Sequence, residues 1–232
     1  MASATATTLP DALLHLPLDN ISGGTSPDLS TNGTDATVGA DVTTTDGPIG
    51  GGVQLAAPGG SSGNLADGLR VPQVGDGSPF TEVSISFWYR AASSDHDGYL
   101  FAWGGSYNAA NHISLYLDAR QELRLRVHDG QDTGSIDSLT PAGFQDGDWH
   151  HLVIAKDGTG ASVYFDGTLI HTTVNGDGAI DFQDALYLGT NQRGTFGAES
   201  VLDDLQIYAR ALDASDVATL FAVGNNGGGG GG

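Results

Sequence analysis

From Trp149 to Phe165 the chain reads WHHLVIAKDGTGASVYF, two strand-length apolar runs on either side of Asp157-Gly158, and a second such pair, Asp166-Gly167, follows at once. Aspartate bonds its own backbone across a turn and glycine takes positive φ at little cost, so each pair reverses an extended chain. The same grammar recurs along the sequence. Leu14–Leu18, Ser84–Arg90, Gly98–Trp103, Ile113–Leu117, Glu122–Val127, Trp149–Ala155, Ala161–Phe165, Ala185–Leu188 and Val201–Tyr208 are short, rich in aromatic or β-branched residues, and bounded by Gly, Asp, Asn or Pro. Asp129-Gly130 marks a further turn, and Asp118-Ala119-Arg120-Gln121 a hairpin tip. Only Asp213–Val223 predicts a helix: Asp213 caps it, Val217, Leu220 and Phe221 share one face, and Gly224 stops it. Residues 21–80, rich in Gly, Ser and Asp, read as long loops with a few weak strands. Many strands with one short C-terminal helical turn predict an all-β fold of two packed antiparallel sheets.

Charge narrows the setting. Asp and Glu total 28 against 8 Lys and Arg, a net charge of −20, and Lys156 is the only lysine. Such a surface repels nucleic acid and anionic membranes. In molar salt the Debye length falls to about 3 Å and the self-repulsion is screened, so the composition predicts a high-salt habitat. The chain has no cysteine, which excludes a disulfide framework and thiolate metal sites. No apolar run approaches the roughly 18 residues needed to span a bilayer. The opening MASATATTLP has no basic or apolar segment of the secretory type. Residues 1–10 read as a polar lead, 11–224 as one domain, and 225–232 as a Gly-rich tail, either a flexible linker or an assembly contact.

Taken in order, LLHLPLDN, DLSTNG, SISFWYR, GYLFAWG, ISLYLDARQELRLRV, WHHLVIAKDGTGASVYFDGTLI, LYLGTN and LDDLQIYARAL resemble the laminin-G-like, concanavalin A-like jelly-roll family over residues 13–224. The resemblance implies a two-sheet antiparallel jelly-roll sandwich with adjacent chain ends. It also implies a structural calcium ion held by the first strand, its following loop and the last strand. The matching positions are Asp19, Asp28, Asn32 and Asp203. Calcium takes several hard oxygen ligands, and carboxylates gathered at paired termini repel without a cation. Asp204, the next residue along the strand, alternates to the other face and is a weaker member.

The adjacent His150 and His151 invite a metal or catalytic reading, but successive strand residues point to opposite sheet faces. His150 shares a face with Leu152 and Ile154, His151 with Trp149 and Val153. Both are expected to pack and hydrogen-bond inside the sandwich. Glucanases of the resembled fold align three acidic residues along one strand, whereas Glu82, Glu122 and Glu199 lie far apart here. No P-loop occurs. A non-enzymatic chain is expected.

For ligand binding, the segment FAWGGSYNAANH gathers Trp103, Tyr107, Asn108, Asn111 and His112, and LGTNQRGTFG offers Asn191, Arg193 and Phe196. Aromatic faces stack on sugars while amides read hydroxyls, and in the resembled fold these loops share a rim. Trp103 has an alternative place in the core. The chain is thus expected to be an extracellular recognition or adhesion module at a cell or virion surface, binding a glycan or glycoprotein in high salt. The alternative is a structural decoration, spike or fibre subunit of a halophilic virus or surface filament, forming a homo-oligomer or larger assembly through its termini. Neither nucleic acid nor membrane insertion is expected.

Overall fold

The computed structural model describes residues 9–56, 65–92, 98–104, 111–118, 122–129, 135–139, 141–174, 178–182, 184–191, 193–194 and 199–227. Two eight-stranded antiparallel sheets form a sandwich. The first runs β14 (Thr168–Thr173), β13 (Gly160–Phe165), β12 (Asp146–Asp157), β7 (Val83–Ala92), β16 (Ser200–Tyr208), β5 (Gly50–Gln54) and β4 (Thr43–Gly47), with β1 (Ala12–Leu16) also paired to β16. The second runs β11 (Ser135–Ser138), β10 (Glu122–His128), β9 (His112–Asp118), β8 (Gly98–Gly104), β15 (Leu186–Leu188), β6 (Leu69–Val71), β3 (Ala36–Val38) and β2 (Thr25–Ser26).

The apolar halves of the alternating segments meet between the sheets. Phe87 of the first sheet meets Phe101 of the second edge-on at 5.9 Å, and Leu14, Leu115, Leu152, Ile154 and Ile207 are fully buried around them. Burying each such side chain contributes about 1.5–3 kcal/mol. A smaller cluster of Val153, Tyr208, Leu212, Val217 and Leu220 lies on the outer face of the first sheet, beneath helix α1 (Ala214–Gly227).

The Asp166-Gly167 turn forms as its dipeptide predicts, whereas between β12 and β13 the positive φ falls on Gly160 and not on Gly158. Asp166 and Gly167 take φ of 47° and 76° between β13 and β14, while Gly130 lies outside the described residues. Residues 119–121 also lie outside them, but β9 and β10 pair from Asp118↔Glu122 onward, as a hairpin requires. Asp213 caps α1, its Oδ1 accepting from the N–H groups of Ser215 and Asp216 at 2.8 and 2.9 Å.

The helix does not stop at Gly224 but continues to Gly227. Gly224 is an approach point: a Cβ there would lie 2.5 Å from Cε2 and Cζ2 of Trp88. Residues 21–80 hold short strands with little alternation, such as TTTDG in β4 and GGGVQ in β5.

Candidate functional site

The paired termini bring two of the four expected calcium ligands together. β1 lies antiparallel on β16, with His15 opposite Gln206 and Leu16 opposite Leu205. The β16·β7 register shifts between Asp203 and Gln206, and Asp204 has φ 48°. This bulge overrides simple alternation. Asp203 lies opposite Trp88, which packs under α1, and Asp204 bonds His15 and Gln206 at 2.8 and 2.6 Å, so both carboxylates serve the outer face.

Asp203 is fully buried. Its Oδ2 accepts from Ile49 N–H at 2.9 Å, and its Oδ1 has no hydrogen-bond partner. Burial, opposed by the Ile49 bond and reinforced by the charges of Asp204 and Asp19, pushes its pKa up to about 8. Asp19 Oδ1 accepts from Gly51 N–H at 2.5 Å. The β4–β5 hairpin is glycine where these carboxylates need room: a Cβ at Gly47 would lie 2.4 Å from Asp203 Oδ2, and one at Gly50 2.4 Å from Asp19 Oδ1.

Asp28 and Asn32 do not join this pair. Asp28 accepts from the N–H groups of His15, Ser30 and Thr34 and from the Ser30 hydroxyl, at 2.8–2.9 Å. It is the hub of its own loop, with its acceptor capacity spent. Asn32 Nδ2 donates to Leu13 C=O at 2.7 Å along the free edge of β1. Among the described residues no three acidic or histidine side chains converge as a metal cluster. Of the four positions only Asp19 and Asp203 act on each other, Asp203 with a buried oxygen that has no hydrogen-bond partner.

The expected ligand rim is not a single rim. β15 runs antiparallel to β8, with Leu186 opposite Trp103 and Leu188 opposite Phe101, and Gly189 N–H donates to Leu100 C=O at 2.9 Å. The segment after Gly104 and the segment after Gly189 therefore leave opposite ends of β8. Trp103 is in the core, 1% exposed and stacked on Phe182 at 3.7 Å. His112 is likewise buried, with Nε2 2.8 Å from Ser114 Oγ. Asn111, at φ 63°, accepts from Asp181 N–H at 3.1 Å. Asn191 accepts from Arg193 N–H at 2.9 Å, and Arg193 is exposed. Tyr107, Asn108 and Phe196 lie outside the described residues.

An open cleft of about 580 Å³ sits instead at the end of the sandwich where β1 and β7 begin and β16 ends. Leu13, Pro79 and Phe80 line its apolar part, and Asn32, Asp76, Ser78 and Glu82 its polar part. Phe80 is fixed by backbone bonds to Ile180 in both directions, at 2.8 and 2.9 Å, and packs on Trp103 at 5.7 Å. In the sequence VGDGSP reads as turn chemistry, which signals a loop and carries no sign of a cleft.

The two histidines face opposite ways, as alternation requires. His150 stacks on Phe165 at 4.7 Å, with Nδ1 2.8 Å from Asp166 Oδ2 and Nε2 3.1 Å from Asp146 Oδ1. Burial works against its charge, but the bonds to Asp166 and Asp146 outweigh it and raise its pKa. His151 is buried under α1 beside Trp88, and burial drives its pKa down to about 3. Its Nε2 lies 2.9 Å from Ser86 Oγ, but Nδ1 has no partner. A Ser–His nucleophile needs a carboxylate at Nδ1 and open access, and this pair has neither.

No curated protein sequence matches the chain. Among solved structures it is similar to the binding domain of botulinum neurotoxin serotype G (16% identity, TM-score 0.71, 92% of this chain and 51% of that one). It is similar also to the binding domain of Paraclostridial Mosquitocidal Protein 1 (22%, 0.68, 91% and 52%). A third likeness is to the ligand binding domain of botulinum neurotoxin serotype D in complex with N-acetylneuraminic acid (14%, 0.69, 91% and 50%). The chain spans about half the length of each, and at these identities the likeness is one of fold. Residues 62–218 match Laminin_G_3, and by that match over more than half its length the chain belongs to the concanavalin A-like lectin/glucanases superfamily.

Proposed function

We propose that the protein is a non-catalytic recognition module that binds carbohydrate or glycoprotein on a cell or particle surface in high salt. The observation that carries this reading is the lectin-type sandwich, supported by a toxin domain of the same fold solved with a sugar acid bound. Half of that toxin domain is matched, so the sugar belongs to the whole toxin domain and lends support by analogy. Asp19 and Asp203 would hold a calcium ion that neutralises the buried carboxylates and ties β1, the β4–β5 hairpin and β16 together. The net charge of −20 supports the salty setting. A glycan array probed in molar NaCl with calcium is expected to give specific binding, and no binding to any glycan under any condition would sink the reading. Folding should fail near 0.1 M salt, where the Debye length is about 10 Å, and a salt-independent melting curve would remove the high-salt part of the proposal.

One observation favours assembly as a second reading. β14 ends its sheet, contains no Asp, Glu, Lys or Arg, and exposes Leu169, with Val174 exposed just beyond it. Edge strands are commonly protected by charge. Sedimentation in molar salt distinguishes the two readings: a concentration-independent monomer would exclude the structural-subunit reading.

A further inference from the structure

We infer that the end cleft is the sugar-binding site and that it takes an uncharged, hydroxyl-donating hexose in place of a sialylated glycan; the inference rests on the recognition reading above. The charged groups that line the cleft are two carboxylates, Asp76 and Glu82, beside the hydroxyls of Ser78 and Thr81 and the amide of Asn32. Asn32 commits one N–H of its Nδ2 to Leu13 C=O, which leaves its other N–H and its carbonyl oxygen to a ligand. Asp76 uses Oδ1 to accept from Ser78 N–H at 2.9 Å, and the bonds from Ser78 hold its carboxyl below the usual range, so it stays ionised. Glu82 makes one long contact, Oε2 to Ala211 N–H at 3.4 Å. Carboxylates only accept when ionised, so the ligand must bring the donors.

The nearby cations do not change that sign. Lys156 is fully buried and donates to the carbonyls of Thr81 and Asp157 at 2.8 and 3.1 Å. Arg210 is ion-paired with Asp216. Neither lines the cleft. A sugar carboxylate placed there would meet the like charges of the exposed Asp76 and Glu82, a repulsion that molar salt weakens but does not reverse in sign.

The apolar part fits the C–H face of a pyranose. Phe80 is braced from behind by Trp103 and by Phe182 at 5.9 Å. Gly75, at φ 71°, keeps the space beside it open: a Cβ would lie 3.1 Å from Phe80 Cζ and 3.9 Å from Leu13 Cδ1. An aromatic edge with a few placed acceptors is the composition of a small-ligand site.

The test uses the full chain in molar NaCl on an array of neutral, sialylated and sulfated glycans. Neutral glycans should bind and their sialylated forms should bind at least ten-fold more weakly. Ser78→Trp, an exposed position, should cut neutral-glycan binding at least ten-fold with an unchanged melting temperature. Asp76→Trp, a second exposed position, should do the same and covers the case in which the first variant folds poorly. Asp76→Asn combined with Glu82→Gln should narrow the penalty against sialylated glycans to a few-fold. Undiminished binding by both Trp variants overturns the cleft assignment and leaves the recognition reading standing. Preference of the unmodified protein for sialylated glycans overturns the neutral class. Absence of binding to every glycan takes down the recognition reading and this inference with it.

Discussion

Gly224 lies against the indole of Trp88 with no room for a methyl group, the nearest ring carbons being 2.5 Å from where a Cβ would stand. Trp88 is also stacked on Phe221 at 5.7 Å and lies 5.0 Å from His151. The helix thus meets Trp88 through Gly224 and Phe221, beside the cluster that Val217 and Leu220 form on the sheet. In an open helix, Gly→Ala gains about 1 kcal/mol of propensity. Here overpacking opposes that gain, and Gly224→Ala should lower stability by about 1–3 kcal/mol. Denaturant unfolding checks the sign; a stabilised variant would show that the helix is not so seated.

Asp203 gives the fold an unusual pH dependence. Its pKa, about 8 when folded, lies above the value of about 3.9 for an unperturbed Asp. The native state then binds more protons, and stability falls as pH rises from about 4 to 8, by up to about 1.4 kcal/mol per unit. His150, with a raised pKa, adds stability below its ordinary range that is lost as pH rises through the raised value. His151 works in the other direction, its contribution being lost as pH falls from about 6.5 toward 3. Melting in chelator should therefore decline between pH 6.5 and 8. Asp203→Asn should flatten that decline, and calcium should restore the unmodified protein at pH 8. Identical melts with and without chelator would remove the proposed cation.

The histidine pair makes a spectroscopic prediction. An imidazole with a carboxylate on each nitrogen donates from both, so His150 should keep its proton above its ordinary pKa, while His151 stays neutral to about pH 3. Nitrogen-detected NMR of the rings resolves the two. Asp166→Asn keeps an acceptor for His151 N–H but turns an NH2 group toward His150 Nδ1, so it should lower the His150 value and cost about 1–3 kcal/mol. Equal titration of the two rings would contradict the separation of faces.

Trp103 separates packing from binding. Its ring is held between Phe182 and Phe80, so Trp103→Ala should cost about 3–5 kcal/mol. Asn191→Ala, at a surface turn, should stay within about 0.5 kcal/mol. If Trp103→Ala melts normally, the core placement is wrong.

The strands with apolar alternation, from SISFWYR to LDDLQIY, were legible because one face of each is buried and the period of two survives in the sequence. β4 and β5 were not, since Thr and Gly carry no apolar period, and Gly47 and Gly50 serve both the hairpin turn, where Gly50 takes φ 89°, and the room that Asp203 and Asp19 need. The Asp203–Asp204 bulge was equally hidden: Asp tolerates positive φ, but nothing in LDDL announces it. Gly224 was misread because a glycine chosen for close approach looks the same in sequence as one that ends a helix. The cleft depends on Leu13, Asn32, Phe80, Glu82 and Ala209 meeting from four separate stretches of the chain. No local pattern encodes that meeting.

The antiparallel seating of β15 on β8 has a thermodynamic consequence. Asn111, which lies against Gly104, and Asn191, just beyond Gly189, stand at opposite ends of β8. Substitutions at the two should combine additively, and either end of the sandwich can diversify without cost to its opposite.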